Sequence, residues 1–257
     1  MMNIQSIKAF NDNYIWLIST NEGNLVIDPG ESAPVLDYLT KNSIELTDIL
    51  LTHHHYDHVG GVAELKKSIT GKVIGPNNFN IEGIDQKVSE GALVNSCGLN
   101  FRVIEIPGHT LDHIAYFSDD DKQPLLFCGD TLFSAGCGRV FEGTFQQMYE
   151  SIMRIKSLPI NTLIYCGHEY TLANLKFALQ VEPKNSDIKN HIEFCKKVLQ
   201  NNQATLPSSL KLELKINPFL RCDDNKLRAS ISHKYDSSKN IDDSSVFEYL
   251  RKWKDSF

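Results

Sequence analysis

No two cysteines in this chain form a C-x-x-C pair, although six are present: Cys97, Cys128, Cys137, Cys166, Cys195 and Cys222. That absence argues against a zinc-finger framework, and 257 residues is too long for a disulfide-stapled miniprotein. Buried thiols in a reducing compartment are the expectation. No apolar run reaches the ~18 residues a membrane-spanning helix needs. The start, Met1-Met2-Asn3-Ile4-Gln5-Ser6, has neither a basic cluster nor an apolar stretch, so we expect a cytoplasmic protein without membrane partners. Positive charge is in deficit, with 26 Lys and Arg against 32 Asp and Glu and a net charge of −6. Nothing global would neutralise phosphates, which argues against general nucleic-acid binding. There is no G-x-S-x-G motif to supply a serine nucleophile. Internal repeats and low-complexity segments are also lacking.

What is present centres on one stretch, Thr52-His53-His54-His55-Tyr56-Asp57-His58. It follows the apolar run Ile49-Leu50-Leu51 and precedes Gly60-Gly61, which reads as a buried strand, a ligand loop and a helix start. So many titratable groups together are costly unless they bind something.

The pattern before and after it alternates strands and helices. Residues 14–19 and 24–27 read as a β-hairpin. A helix follows from Ser32, a plausible N-cap, with Val35, Leu36 and Leu39 on one face. Strands are expected at 49–51, 72–74, 101–106, 114–118, 125–128 and 162–166. An acidic turn, Asp119-Asp120-Asp121, separates two of them. Helices are expected at 62–69 and 145–158. After His168 the pattern becomes helical (172–181, 188–200 and 244–253), and 203–227 is irregular. We therefore expect an α/β domain over 1–167 and a smaller, mainly helical domain over 168–257.

Four times an apolar strand ends in a metal-ligand residue type: Leu51 into the His cluster, Ile106 into His109, Cys128 into Asp130, Cys166 into His168. Strand ends in α/β folds commonly build the site. A lone His109 or His168 is ordinarily a satisfied histidine, and a lone Asp130 a turn or cap residue. The repetition is what favours a site. His53, His55, Asp57, His58, His109, Asp130 and His168 are too many ligands for one tetrahedral ion and suit two sharing a carboxylate. Imidazole with carboxylate and no thiolate suits Zn(II), Fe(II) or Mn(II). His54 is expected to point away. Asp28 reads as a turn residue or a support to the ligands, and His113, His191 and His233 as surface or packing residues.

The stretch 52–58 matches T-H-x-H-x-D-H of the metallo-β-lactamase superfamily, and His109, Asp130 and His168 follow in that superfamily's ligand order. Further stretches resemble the glyoxalase II (hydroxyacylglutathione hydrolase) family: Asn11-Asp12-Asn13-Tyr14, Cys137 to Thr144, Cys166-Gly167-His168-Glu169-Tyr170-Thr171, Asn217-Pro218-Phe219-Leu220-Arg221, and the closing Leu250-Arg251-x-x-Lys254-Asp255-x-Phe257. The resemblance covers essentially the whole chain. It implies a four-layered αβ/βα sandwich with a helical C-terminal domain. It also implies His53, His55 and His109 on one ion, Asp57, His58 and His168 on the other, and Asp130 bridging.

Two Zn2+ are implied as cofactors, with Fe or Mn as alternatives. The implied reaction is hydrolysis of S-D-lactoylglutathione to glutathione and D-lactate in methylglyoxal detoxification. A metal-bridging hydroxide, held by Asp130 and the two ions, would be the nucleophile. The glutathione contacts would be Arg139, Phe141, Tyr170, Arg251 and Lys254; Phe141 stands where some relatives carry Tyr and lacks that hydroxyl. Arg251 and Lys254 lie three apart on the last helix and so share a face. They can serve a substrate carboxylate or merely complement the helix dipole. We expect a monomer. Among competitors, a glutathione persulfide dioxygenase would lack the C-terminal extension, a β-lactamase would depart from His58, and an RNA-processing nuclease would want a basic clamp.

Overall fold

The computed structural model describes residues 2–78, 80–119, 123–232 and 242–257. His233 and the Asp120-Asp121 part of the acidic turn lie outside the described residues. The elements run β1 (Asn3–Ala9), β2 (Asn13–Thr20), β3 (Gly23–Ile27), α1 (Ser32–Asn42), β4 (Asp48–Leu50), α2 (Tyr56–Val59), α3 (Val62–Leu65), β5 (Val73–Pro76), β6 (Gln86–Val88), β7 (Leu93–Ser96) and β8 (Leu99–Glu105). Then come β9 (Ile114–Ser118), β10 (Leu125–Gly129), β11 (Leu132–Phe133), β12 (Gly136–Cys137), α4 (Phe145–Lys156) and β13 (Leu163–Cys166). The chain closes with α5 (Thr171–Val181), α6 (Ser186–Gln200), β14 (Ser208–Ser209), α7 (Leu210–Ile216), a 3-10 turn (Pro218–Leu220), α8 (Asn225–Ile231) and α9 (Asp243–Asp255).

These elements form two compact units. The first comprises Met1–Glu105, Asp112–Gly129 and Ile164–His168. Its first sheet has the order β1-β2-β3-β4-β5-β6. It is antiparallel through β1-β2-β3 and parallel from β3 to β6. The expected hairpin is β2–β3, paired from Trp16↔Ile27 to Thr20↔Gly23. The second sheet, within this unit, runs β13-β10-β9-β8-β7.

Ile15, Leu17, Val26, Val35, Leu39, Ile49, Leu51 and Leu65 join in one core cluster. Each such side chain contributes about 1.5–3 kcal/mol on burial. Between the sheets the buried Tyr116 hydroxyl donates to the Leu51 and Ile74 carbonyls at 2.9 and 3.2 Å. Burial pushes that phenol far above its ordinary pKa, so it stays a donor.

Four sequence expectations need correction. Ser32 opens α1, and Glu31 holds the N-cap position without a side-chain cap bond. The Glu31 carboxylate accepts from the Phe10 amide at 2.6 Å instead. The helix expected to 69 stops at Leu65. There Lys67 and Ser68 amides bond three residues back, to Glu64 and Leu65 carbonyls, tightening the chain out of α geometry. The irregular stretch 203–227 holds α7 and the start of α8, and β1 lies where no strand was expected.

The second unit comprises Ile106–Leu111, Asp130–Leu163 and Glu169–Phe257. α4 opens on a capping box, Thr144 with Gln147. Ala135, Leu175, Ala178, Ile188, Cys195 and Ile216 form a core cluster. A fully buried carboxylate, Glu213, joins α7 to the β11–β12 hairpin. It accepts from Ser134 Oγ (2.9 Å), the Ala135 amide (2.8 Å), Ser208 Oγ (2.5 Å) and Asn217 Nδ2 (3.0 Å). All six cysteines are buried thiols outside any disulfide. No described helix is long and apolar enough to cross a membrane.

Candidate metal centre

In the first unit, β4 runs parallel between β3 and β5 and delivers Leu51 into the His loop. The loop is pinned at its start, where the Thr52 carbonyl accepts from the Ile114 amide at 2.9 Å. His53 Nε2 and His55 Nδ1 converge at 3.2 Å. Asp57 Oδ2 lies 3.6 Å from His58 Nε2 and 3.4 Å from His168 Nε2. Two donor atoms ~2 Å from one tetrahedral ion stand roughly 3.3 Å apart. These spacings and donor types therefore fit a divalent cation, and Asp57, His58 and His168 form one compact ligand group. His53 and His58 are essentially fully buried and His168 is 5% exposed.

The outer ring nitrogens fix the tautomers. His58 Nδ1 lies 3.0 Å from Asp28 Oδ2, and His168 Nδ1 lies 2.8 Å from Asp12 Oδ1. His53 Nδ1 lies 3.0 Å from Thr52 Oγ1, whose own proton goes to Asp28 Oδ2 at 2.7 Å. With Nδ1–H so engaged, each Nε2 is turned inward as a base. Asp28 also accepts from the Thr52 amide at 2.8 Å, so one carboxylate orients two histidines. It reaches them from the turn after β3, with φ at 54°. A short side chain tolerates that left-handed conformation. Gly30 leaves room beneath the ligand loop, because a Cβ there would sit 1.8 Å from the Asp57 carbonyl oxygen.

The remaining histidines behave differently. His54 Nδ1 turns to Asp112 Oδ1 at 2.9 Å. His113 is buried, stacked on His53 with ring centroids 4.4 Å apart. His191 lies 3.4 Å from Cys195 Sγ, and burial lowers its pKa.

In the second unit, His109 Nε2 lies 3.6 Å from Asp130 Oδ2. His109 Nδ1 donates to the Arg139 carbonyl at 2.8 Å. Gly138 makes this approach possible: a Cβ there would meet the Asp130 carbonyl oxygen at 1.9 Å and His109 Nδ1 at 3.3 Å.

The expected substrate residues also lie in this unit. Phe141 is 61% exposed, with its ring edge-on to His109 at 5.2 Å and the Arg139 guanidinium over it at 5.7 Å. Tyr170 packs edge-on against Phe133 at 5.1 Å. Arg251 is 4% exposed. It donates to the Cys137 carbonyl at 2.7 Å and to Asp255 at 3.0 Å. Its Nε is buried with no hydrogen-bond partner among the described residues. Lys254 donates to Asn174 Oδ1. Burial, followed by the nearby Arg251 charge, lowers its pKa to about 8.

Sequence reading missed the roles of Glu213 and Asn174, and saw Asp12 and Asn13 only inside a motif. For Asp28 a signal existed: an acidic residue at a strand end just before Pro29-Gly30.

The metallo-beta-lactamase superfamily matches residues 10–90 and 77–168, and the family described as hydroxyacylglutathione hydrolase C-terminus matches 169–257. A crystal structure of ETHE1 from Myxococcus xanthus shares the fold, with a TM-score of 0.64 at 23% identity over 97% of this chain and 96% of that one. The superfamily match and the ligand groups together define a member of the metallo-beta-lactamase superfamily with side chains suited to divalent metal. A hydroxyacylglutathione hydrolase from Pseudomonas syringae pv. syringae is 48% identical over 100% of both chains. One from Idiomarina loihiensis is 46% identical over 99% of this chain and 100% of its own. The chain belongs to the hydroxyacylglutathione hydrolase family of this superfamily.

Proposed function

We propose that this protein hydrolyses the thioester of S-D-lactoylglutathione, releasing glutathione and D-lactate, in the cytoplasm and as a monomer. The observation that carries the metal-dependent part is the Asp57–His58–His168 group, whose donor atoms converge while the outer histidine nitrogens are held by Asp28 and Asp12. Asp57, His58 and His168 would hold one divalent ion, His53, His55 and His109 the other, and Asp130 would bridge. Zinc is the ion we assign, in a donor set of imidazole and carboxylate that iron or manganese would also suit. When bound, the ions supply an activated water and polarise the thioester carbonyl.

The chain's own residues do the rest. Asp28 and Thr52 keep His53 and His58 basic and oriented, and the Arg139 carbonyl does the same for His109. By sequence, catalysis is assigned to residues 1–167 and substrate binding to 168–257, a boundary that differs from the compact units, in which 106–111 and 130–163 group with the C-terminal residues and His168 with the first. Arg139 and Lys254 supply cations for the glutathione carboxylates, Phe141 and Tyr170 supply aromatic surface, and Arg251 adds its charge from a buried position. The thiolate leaves readily, so no dedicated acid is required.

The test is hydrolysis of S-D-lactoylglutathione by purified protein with metal content measured in parallel. Turnover that rises with bound metal and disappears on chelation is the expected result. A fully loaded protein inert toward this thioester would overturn the reading.

A further inference from the structure

Asp12 and Asn13, neighbours at one turn, reach two different candidate ligands, His168 and Asp57. Asp12 and Asn13 lie at the turn from β1 to β2. That turn is locked in the first unit: Asn13 forms a backbone bridge to His168, and the Tyr14 amide donates to the Gly167 carbonyl at 2.8 Å. Full β1–β2 pairing, from Asn3↔Ser19 to Ala9↔Asn13, holds the turn rigidly on the sheet.

From this platform the two side chains diverge. Asp12 Oδ1 accepts from His168 Nδ1 at 2.8 Å. Asn13 is 5% exposed, and its Nδ2 donates to Asp57 Oδ2 at 2.9 Å and more weakly to the Asp57 carbonyl at 3.4 Å. Asp57 follows β4 and His168 follows β13, on different sheets. These two ligand loops are therefore referred to each other through one rigid turn.

We propose that Asp12 and Asn13 are positioning residues that set the geometry of the Asp57–His58–His168 ion site, resting on the reading that these three hold an ion. Asp12 selects the His168 tautomer and strengthens Nε2 as a donor. Asn13 fixes the rotamer of Asp57 and supports its negative charge. Partners of this kind are worth 10–100-fold in metal affinity when removed. Asp12→Asn keeps an oxygen acceptor for His168 Nδ1 and loses only the charge, so its effect should lie between wild type and Asp12→Ala.

The test uses the full-length protein reconstituted with Co(II). Absorption spectra and chelator competition read the affinity and stoichiometry of each ion, independently of turnover. Asp12→Ala and Asn13→Ala should each weaken one of two ions about 10–100-fold, perturb that ion's spectrum and leave the other ion at wild-type affinity. Asp12→Asn should give a smaller loss. Wild-type affinity for both ions in Asp12→Ala and Asn13→Ala would overturn the inference. The control His168→Ala should lose one ion outright; if it does while both turn variants are unaffected, the ligand assignment stands and the positioning role falls. Retention of two ions by His168→Ala would overturn both.

Discussion

The guanidinium of Arg251 donates to the main-chain carbonyl of Cys137 at 2.7 Å. It is stacked over Phe219 at 5.4 Å and paired with Asp255, so the last helix is strapped to the segment that leads to Arg139. Arg139 is in turn the carbonyl partner of His109. Arg251 thus serves the architecture of the second unit as well as any substrate.

Arg251→Ala should lower stability by about 2–4 kcal/mol, because it leaves buried carbonyl groups unpaired and empties a packed position. It should also raise KM for the glutathione thioester. Arg251→Lys should recover little, since an ammonium cannot reproduce the planar fork. Urea unfolding and steady-state kinetics check both; unchanged stability would remove the strap.

Glu213 makes stability depend on pH. Burial outweighs its four hydrogen bonds and holds the carboxyl above its ordinary 4.5. The folded state then binds the proton more tightly than the unfolded state. Its contribution is present below 4.5 and is lost as pH climbs through the raised value. Glu213→Gln removes that slope and can keep most partners, because the two serine hydroxyls can turn to accept from its amide. The stability difference between variant and wild type should shift in favour of the variant from acid toward neutral pH. A difference constant with pH would contradict this.

Lys254 titrates the other way. Its pKa is lowered from 10.5 to about 8, so its charge costs folding energy below about 8 and that cost is relieved as pH rises from there toward 10.5. A cation lost above about 8 should make KM for the anionic thioester rise through that pH. Lys254→Arg should abolish the rise because its cation persists. KM profiles across the same range decide it.

Asp28→Asn tests the shared support of His53 and His58. Asparagine accepts the left-handed backbone at this position, so the turn should survive. One acceptor oxygen becomes a donor, facing either the Thr52 amide or the Thr52 hydroxyl and His58 Nδ1. Bound metal should pass to a chelator about 10–100-fold more readily. Thr52→Val, which removes only the relay to His53, should show a smaller effect.

Much of this was legible in the sequence. The candidate ligands His53, His55, Asp57 and His58 declare themselves because metal chemistry selects side-chain types and a short loop keeps them adjacent. The strands feeding them are apolar runs, which periodicity finds directly. β1 escaped because Asn3-Ile4-Gln5-Ser6-Ile7-Lys8-Ala9 is half polar, as an edge strand can be. α7 and α8 escaped because each spans only seven residues, too few to show a period. Arg251 and Lys254 looked equivalent, three apart on one helix. Tertiary packing buried Arg251 on a carbonyl and left Lys254 half-buried beside Asn174.

By itself, then, the sequence determined the chemistry: which residue types can hold a cation, on which strand ends, and in which family order. The tertiary structure decided what holds those residues in place. His58 depends on an aspartate 30 positions away and His168 on one 156 positions away. Such partners are chosen by sheet pairing and turn geometry, and no local pattern encodes a contact across that separation.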